Sequence, residues 1–348
     1  MADKAFKKRG IIDSGAVKRK SVTVLRQELV KMDCSDPENS LPLVIQPAFE
    51  GVSLTVWAAN NRKLLDQLLL EHGGIVFRRF DIKAVDHFES FVRTVSGPLM
   101  EYRERSSPRS RVRGNVYSST DYPADQGIFL HCENSYSHAW PLKIFFFCAA
   151  PAQEGGETLI ADCRKVFKRI PPDITRSFID KEIMYVRNFS PGLGLDWQTV
   201  FQTRDRSAVE EYCREKHIHY EWKGSDQLRI RQVRPAVATH PVTGETLWFN
   251  HATFFNVSTL SRDVREGMLD ELNENDLPNN TYYGDGSPIE GSYLDSLREA
   301  YRQETRLVSW QQGDVLMLDN MLIAHGRMPY RGSRRVLVAM TEPFISSC

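Results

Sequence analysis

The sequence lacks long apolar runs, closely paired cysteines and an excess of charge of either sign, and each absence excludes a class of protein. No apolar stretch approaches the ~20 residues that a membrane-spanning helix needs, and the N-terminus has no apolar segment typical of a signal peptide. The six cysteines show no short paired spacing, which is typical of reduced thiols and not of a disulfide scaffold. We therefore expect a cytoplasmic protein that does not bind membranes.

The charge balance argues against nucleic acid as a partner. The 348 residues include 45 basic and 45 acidic side chains, whereas binding to a phosphate backbone favours a surplus of positive charge. Basic residues are concentrated only near the N-terminus, so we interpret residues 1–42 as a basic, disordered tail, with a nucleic-acid-binding arm as the weaker alternative. Residues 43–348 are then expected to form a single domain.

Patterns typical of helices and strands alternate in blocks along this domain. Leucines at helical spacing predict a helix over residues 62–72 that ends at Gly73 and Gly74, and a second amphipathic helix begins near Ala84. Further helices are predicted near residues 208–216, 258–272 and 293–304. Strands are predicted at residues 75–77, 127–133, 143–149, 158–161, 246–250, 314–318 and 334–340.

This order of elements predicts a mainly β (α+β) fold. The last strands would return to pair with earlier ones, as they do in a jelly roll. The helices before residue 97 would flank the core, and the helices of the second half would form an insertion between the two groups of strands. The sequence therefore predicts a jelly-roll core with flanking helices and a helical insertion.

A histidine and a glutamate two residues apart suggest a metal site. His131 and Glu133 lie on a predicted strand, so their side chains would project from the same face. Such a pair alone is more often half-exposed polar surface. The segment around His325 changes this balance, because two histidines and one carboxylate leave three positions of an octahedral ion open. The sequence therefore predicts a metal held by His131, Glu133 and His325.

Two arginines follow the third predicted ligand across a hairpin. Arg334 and Arg335 begin the predicted strand after this hairpin, which brings a positive charge near the metal. A dicarboxylate cosubstrate would need a cation at this place. Neighbouring residues of a strand point to opposite faces, so only one of the two is expected to face the cosubstrate.

These segments resemble the TauD/TfdA family of iron(II)- and 2-oxoglutarate-dependent dioxygenases, and most of all its SyrP-like branch, which is associated with amino-acid hydroxylation in peptide natural-product pathways. The resemblance covers roughly residues 64–344, with a Glu at position 133 where many members carry Asp. It implies a double-stranded β-helix core similar to that of clavaminate synthase, and the use of iron(II), 2-oxoglutarate and O2. The similar segments are LHCENSYSH from residue 130, WPLKIFF from residue 140, GGET from residue 155, HPVTGE from residue 240, and residues 313–340.

The same resemblance implies roles for further residues. Thr158 and one of the two arginines would bind 2-oxoglutarate, and the family's spacing favours Arg334 over Arg335. Without the resemblance, Thr158 could equally be an ordinary strand residue. The candidates for substrate binding, chosen because they lie near the predicted ligands, are Ser135, Asn250 and His251.

Three functions compete for this pattern. We favour hydroxylation of an amino acid or an amino-acid-derived small molecule, free or tethered to a carrier protein, in natural-product biosynthesis. The alternative uses the same cofactors for desaturation or another oxidation of a different small carboxylate or sulfonate. A non-catalytic jelly-roll binding module is disfavoured, because the three ligands, Thr158 and an arginine are all retained. A carboxylate at Glu133 also argues against a halogenase, in which a small residue frees a site for halide.

Two points about partners are left open. The protein could form a homo-oligomer. A basic cluster precedes the predicted jelly-roll strands and could recognise a substrate carboxylate or a carrier protein, although a solvated loop is the more common explanation. The cluster consists of Arg103, Arg105, Arg109, Arg111 and Arg113.

Overall fold

The computed structural model describes residues 29–33, 41–102, 104–224 and 226–346. The strands are β1 (Val30–Asp33), β2 (Leu43–Pro47), β3 (Gly74–Phe77), β4 (Arg111–Arg113), β5 (Val116–Ser118), β6 (Ile128–His131), β7 (Ala139–Ala150), β8 (Glu154–Gly155), β9 (Thr158–Asp162), β10 (Ile183–Phe189), β11 (His219–Lys223), β12 (Gln227–Arg234), β13 (Val237–Thr239), β14 (Thr246–Trp248), β15 (Asn279–Tyr283), β16 (Arg306–Val308), β17 (Val315–Asp319), β18 (Ile323–Arg327), β19 (Tyr330–Arg331) and β20 (Arg335–Ile345). The helices are α1 (Leu54–Ala59), α2 (Arg62–His72), α3 (Val85–Ser96), α4 (Cys163–Arg169), α5 (Pro172–Lys181), α6 (Trp197–Phe201), α7 (Arg206–Glu215), α8 (Ala252–Phe255), α9 (Arg262–Glu271) and α10 (Gly291–Glu304).

Two sheets form the core of the jelly roll. The larger has eight strands in the order β1-β2-β3-β17-β7-β20-β5-β4, and the smaller has four in the order β16-β9-β18-β6. Buried residues of both sheets, such as Phe146 on β7 and Ile160 on β9, belong to one hydrophobic cluster. The strands that carry the predicted ligands and Thr158 therefore belong to the smaller sheet or follow it directly.

The outer face of the larger sheet is covered by α1, α2 and α3. Side chains alternate along β7, so that Phe145 and Phe147 join the helices in a second cluster while Phe146 faces the other way. The ring of Phe88 on α3 stacks on Phe147 with centroids 5.4 Å apart. Each such buried aromatic side chain stabilises the fold by roughly 1.5–3 kcal/mol, so the helices are packed firmly on this face of the sheet.

A separate four-stranded sheet lies in the predicted helical insertion. Its order is β11-β12-β10-β15, and a hydrophobic cluster of its own contains Phe189, Trp197 and Val200. The helices predicted there are present as α7, α9 and α10, and the sheet is an addition to them that the sequence analysis did not predict. The sheet escaped prediction because polar side chains such as Arg187, Asn188 and Arg229 are buried on it, which hides the apolar alternation that indicates a strand.

Several predicted boundaries can be compared directly with the structure. Helix α2 covers the predicted residues and ends at Gly73, whose φ of 73° is the left-handed conformation that favours glycine. The predicted tail of residues 1–42 ends too late, because β1 already pairs antiparallel with β2. The rest of that tail, residues 1–28 and 34–40, lies outside the described residues. In the described ranges no helix is both long and apolar enough to span a membrane.

Candidate metal centre

The three predicted ligands lie together at one end of the smaller sheet. Strands β6 and β18 pair antiparallel with His131 directly opposite His325, and their ring centroids are 4.6 Å apart. One ligand atom from each of His131, Glu133 and His325 lies within 4.8 Å of the other two. All three side chains are buried. Residues far apart in the sequence thus form one compact cluster of two nitrogen ligands and a carboxylate.

Glu133 reaches this cluster from a turn and not from a strand. Strand β6 ends at His131, and Asn134 has a φ of 57°. The fully buried amide of Asn320 holds the turn, because its Oδ1 accepts from the Glu133 N–H at 2.7 Å and its Nδ2 donates to the Glu133 carbonyl at 2.9 Å. The same-face expectation for the pair is correct in outcome, but the strand predicted to produce it is too long. Asn320 is a positioning residue that sequence reasoning did not single out, although it directly follows the apolar run of β17.

Among the described residues, several candidate ligand atoms have no hydrogen-bond partner and are therefore available to a metal. His131 Nδ1 lies 2.9 Å from the Phe129 carbonyl, which leaves Nε2 for coordination. Glu133 Oε1 and both ring nitrogens of His325 are buried without a hydrogen-bond partner. Burial lowers the pKa of His131, and burial with the nearby His131 lowers the pKa of His325 well below its usual value. Both rings are therefore neutral near pH 7, the form that coordinates metals, so these residues fit a divalent ion such as iron(II).

Arg109 contacts the carboxylate of Glu133 directly. Its Nη2 donates to Glu133 Oε2 at 2.5 Å, and both side chains are almost fully buried. The guanidinium also lies over the ring of Tyr102, with its carbon 4.5 Å from the ring centroid. Arg109 is thus part of the centre and not of a solvated loop. Sequence reasoning noticed it only as one member of the basic cluster.

The other described members of the basic cluster have partners outside this centre. Arg111 pairs with Glu101 at 3.1 Å on the surface, and Arg113 pairs with Asp86. Arg105 donates to the Tyr102 carbonyl, and Arg103 lies outside the described residues. Arg105, Arg111 and Arg113 therefore have separate partners, and recognition of a carrier protein by this cluster stays a prediction.

A cavity of about 1080 Å³ opens onto the centre, and His131 and His325 line it. Thr158 and Arg334 line it as well, whereas Arg335 is exposed at the start of β20 and does not. Arg334 Nε donates to the Gly156 carbonyl at 2.9 Å. A Cβ at Gly156, whose φ is 73°, would come within 3.0 Å of the Arg334 side chain, so a glycine leaves room for it. Burial, followed by the charge of Arg327, lowers the pKa of Arg334 to about 10, so it is still a cation at neutral pH.

The residues predicted to bind substrate do not line the cavity. The side chain of Asn250 donates to the Ala236 carbonyl at 2.7 Å and accepts from the Ala252 N–H at 3.0 Å. Ser135 Oγ lies 2.6 Å from His251 Nδ1, and the His251 ring is fully buried behind His131, with centroids 5.5 Å apart. The polar groups of these three residues hold the loops around the centre together, and their role in substrate binding stays a prediction. The cavity wall opposite the core strands comes from the insertion and includes Arg187, Phe189, Phe254, Phe255, Val264 and Met268.

Comparison with known proteins identifies the family. Residues 39–341 match the model described as "Taurine catabolism dioxygenase TauD, TfdA family". The chain belongs to this family. This TauD/TfdA protein is accordingly an iron(II)- and 2-oxoglutarate-dependent dioxygenase that uses O2. The predicted SyrP-like branch stays a prediction.

Two curated relatives align with most of the TauD/TfdA chain. The dapdiamide synthesis protein DdaC of Enterobacter agglomerans is 38% identical over 283 residues, which cover 81% of this chain and 86% of that protein. A clavaminate synthase-like protein of Arabidopsis thaliana is 28% identical over 320 residues, which cover 88% and 92%.

A solved structure confirms the predicted fold. The PvcB protein from Pseudomonas aeruginosa superposes with a TM-score of 0.52 at 15% identity, over 92% of this chain and 94% of that one. Another structure of PvcB, described as an Fe, alpha-ketoglutarate dependent oxygenase from an isonitrile synthetic pathway, has a TM-score of 0.53. At this identity the likeness shows the jelly-roll fold alone.

Proposed function

We propose that this dioxygenase hydroxylates an amino acid or an amino-acid-derived small molecule in natural-product synthesis. The similarity to DdaC, named for dapdiamide synthesis, supports this, since it extends over most of both chains at 38% identity. A cavity of about 1080 Å³ has room for a small molecule beside 2-oxoglutarate. The walls of this cavity are largely apolar with a few charged groups, which is typical of a site for a small molecule.

We assign His131, Glu133 and His325 as the iron ligands. The observation that carries the assignment is the convergence of their ligand atoms within 4.8 Å, buried and beside the cavity. Iron(II), when bound there with 2-oxoglutarate and O2, supplies the oxidising power for attack on a C–H bond. The protein's part is to hold the two neutral imidazoles and the carboxylate in place, which the Phe129 carbonyl, Asn320 and Arg109 do.

We assign the distal carboxylate of 2-oxoglutarate to Arg334 and Thr158. Both line the cavity on neighbouring parts of the core. A guanidinium pairs with a carboxylate through two parallel hydrogen bonds. The Thr158 hydroxyl accepts from Trp310 Nε1 at 3.1 Å, so its own proton remains free to donate to an anion. Arg335 is the weaker candidate for this role, because it is exposed and does not line the cavity.

One assay separates this function from its competitor. The purified protein is supplied with iron(II), 2-oxoglutarate and air, and tested with the proteinogenic amino acids and with a set of small carboxylates and sulfonates. We expect an amino acid to stimulate succinate formation and to gain one oxygen atom by mass spectrometry. Loss of two hydrogens would indicate desaturation, and stimulation by sulfonates alone would contradict the proposal. A carrier-tethered substrate, a homo-oligomer and a cytoplasmic location stay predictions.

A further inference from the structure

The insertion side of the cavity contains a buried arginine that has no anionic partner. Arg187 on β10 is only 3% exposed and lines the cavity. Its Nη2 donates to the Arg105 carbonyl at 2.7 Å, but its Nε and Nη1 have no hydrogen-bond partner. In the part of the chain that the structure describes, no carboxylate forms an ion pair with it. A guanidinium is always charged at neutral pH, so this is a buried cation without a counterion.

The surroundings of Arg187 do not replace an anion. Its guanidinium lies 5.4 Å from the ring centroid of Tyr136, 5.0 Å from that of Phe189 and 5.7 Å from that of Phe255. Aromatic faces attract a cation, but they leave the remaining N–H donors without the strong acceptors that a buried charge requires. The charge is therefore only partly compensated within the protein.

A second buried arginine of the same sheet shows what full compensation looks like. Arg229 on β12 lies opposite Asn188, the residue after Arg187. It is also buried, at 7% exposure, but it pairs with Asp276 at 2.7 Å and donates to Asn188 Oδ1 at 2.8 Å. Arg229 does not line the cavity. The arginine that lacks a carboxylate is thus the one that borders the ligand space.

Arg109 also lines the cavity, and it too has donors without a hydrogen-bond partner among the described residues. One of its nitrogens holds Glu133, while its Nε and Nη1 are buried without a partner. Arg109 and Arg187 therefore bring two cations to the cavity in addition to Arg334, which the proposed function reserves for 2-oxoglutarate. Glu133 pairs with Arg109 and the cosubstrate is reserved for Arg334, so Arg187 is the one of the three that is left without an anion.

We propose that Arg187, together with Arg109, binds an ionised carboxylate of the substrate. This inference rests on the proposed function and names its substrate class: a free amino acid or a derivative with a free carboxylate. An amino acid tethered to a carrier has its carboxyl carbon in a thioester, which offers no anion to pair with a guanidinium. The two arginines would thus select the free acid over the tethered form.

Binding without turnover tests the proposal. The protein is loaded with Mn(II) and N-oxalylglycine, which keep the metal and 2-oxoglutarate positions filled, and is titrated calorimetrically with the proteinogenic amino acids and their primary carboxamides. For the amino acid that binds best, we expect the acid to bind about 10- to 100-fold more tightly than its amide. We expect Arg187→Gln to remove most of this preference. Equal binding of acid and amide, binding of no acid, or an unchanged preference in Arg187→Gln would overturn the proposal.

Two further variants keep the test decisive. Arg229→Gln removes a buried arginine from the same sheet and should leave the preference for the acid unchanged, which separates anion binding from damage to the insertion. If Arg187→Gln does not fold, Arg187→Lys keeps the charge without the planar fork, and we expect it to retain only part of the preference. Loss of the preference in Arg229→Gln to the same extent as in the Arg187 variants would contradict the inference.

The outcome also distinguishes this inference from the proposed function. Acids that bind through Arg187 but stimulate no succinate formation would refute the proposed function and support the anion site. Hydroxylation restricted to amides or carrier-bound thioesters would support the proposed function and refute the anion site.

Discussion

The cavity has a core wall, formed by the strands of the smaller jelly-roll sheet, and an insertion wall, formed by the insertion. The two walls differ in the hydrogen-bond and ion-pair partners of their polar groups. On the core wall, His131, His325 and Thr158 are buried and arranged by strand pairing. Asn320 holds the neighbouring Glu133. The insertion wall presents rings and aliphatic side chains, such as Phe254 and Met268, with Arg187 as its buried charge. The core wall therefore suits chemistry that requires fixed ligands, whereas the insertion wall suits the selection of a substrate. Changes on the two walls should have separable effects.

The core wall has little freedom to change because its strands approach closely. Strand β18 pairs with β6 on one side and with β9 on the other. Between them, a Cβ at Gly326 would lie 2.5 Å from the Ile128 carbonyl oxygen, so only glycine fits beside His325. Strand pairing on both sides thus holds His325 in place.

The largest expected effect is that of Glu133→Ala. Removing the carboxylate takes away one of three proposed ligands and leaves Arg109 buried without its partner. Since loss of a group that only supports a ligand typically costs ~10–100-fold in metal affinity or activity, we expect a loss of more than about 100-fold in succinate formation. Iron binding, measured by equilibrium dialysis, should weaken in parallel.

The reaction product of the unaltered protein also tests whether Glu133 is a metal ligand. With chloride and labelled O2 both present, the product should contain the labelled oxygen and no chlorine, because a carboxylate ligand fills the position that a halide would need. Leu269→Ala on α9 is the control variant for Glu133→Ala and should keep full activity, because this exposed side chain does not line the cavity. A chlorinated product, or full activity of Glu133→Ala, would show that Glu133 is not a ligand.

The second prediction compares neighbouring arginines at the end of the core wall. Arg334→Ala should raise the KM for 2-oxoglutarate by about 10- to 100-fold, since a charge-assisted pair contributes ~1.5–3 kcal/mol. Iron binding should be unchanged. Arg335→Ala should leave this KM as it is, because Arg335 is exposed and does not line the cavity. The reverse result would show that the cosubstrate binds on the other face of the strand.

The difference between the core wall and the insertion wall also explains which parts of the structure could be predicted from the sequence. The ligand triad, the helix ending at Gly73 and the core strands have local signals: residue chemistry, helical spacing and a glycine with positive φ. The insertion sheet has none, because residues such as Arg187 and Asn188 are buried there as polar groups. The role of Arg109 was equally invisible, since its contact with Glu133 depends on a tertiary fold that places a loop against the metal centre.

The third prediction concerns the insertion wall. Met268 on α9 lines the cavity and its neighbour Leu269 does not. Met268→Ala removes apolar contact area, so we expect the KM for the substrate to rise by about 10-fold, as is typical when a pocket loses aliphatic contacts. The KM for 2-oxoglutarate should be unchanged. Steady-state kinetics with each of the two compounds varied would check this, and a parallel rise of both values would mean that the walls are not separable.

The smallest effect is expected at the surface part of the basic cluster. Arg111 is half-exposed and pairs with Glu101 at 3.1 Å, and an exposed ion pair of this kind contributes only ~0–1 kcal/mol to stability. Arg111→Ala should therefore change the free energy of unfolding, measured with urea, by less than about 1 kcal/mol. Both KM values should stay as they are, because Arg111 does not line the cavity. Arg111→Ala could instead raise the KM for a carrier-tethered substrate tenfold and leave the KM for the free amino acid unchanged. That result would assign this surface to binding of a carrier protein. It would contradict the selection of the free acid by Arg187 and Arg109.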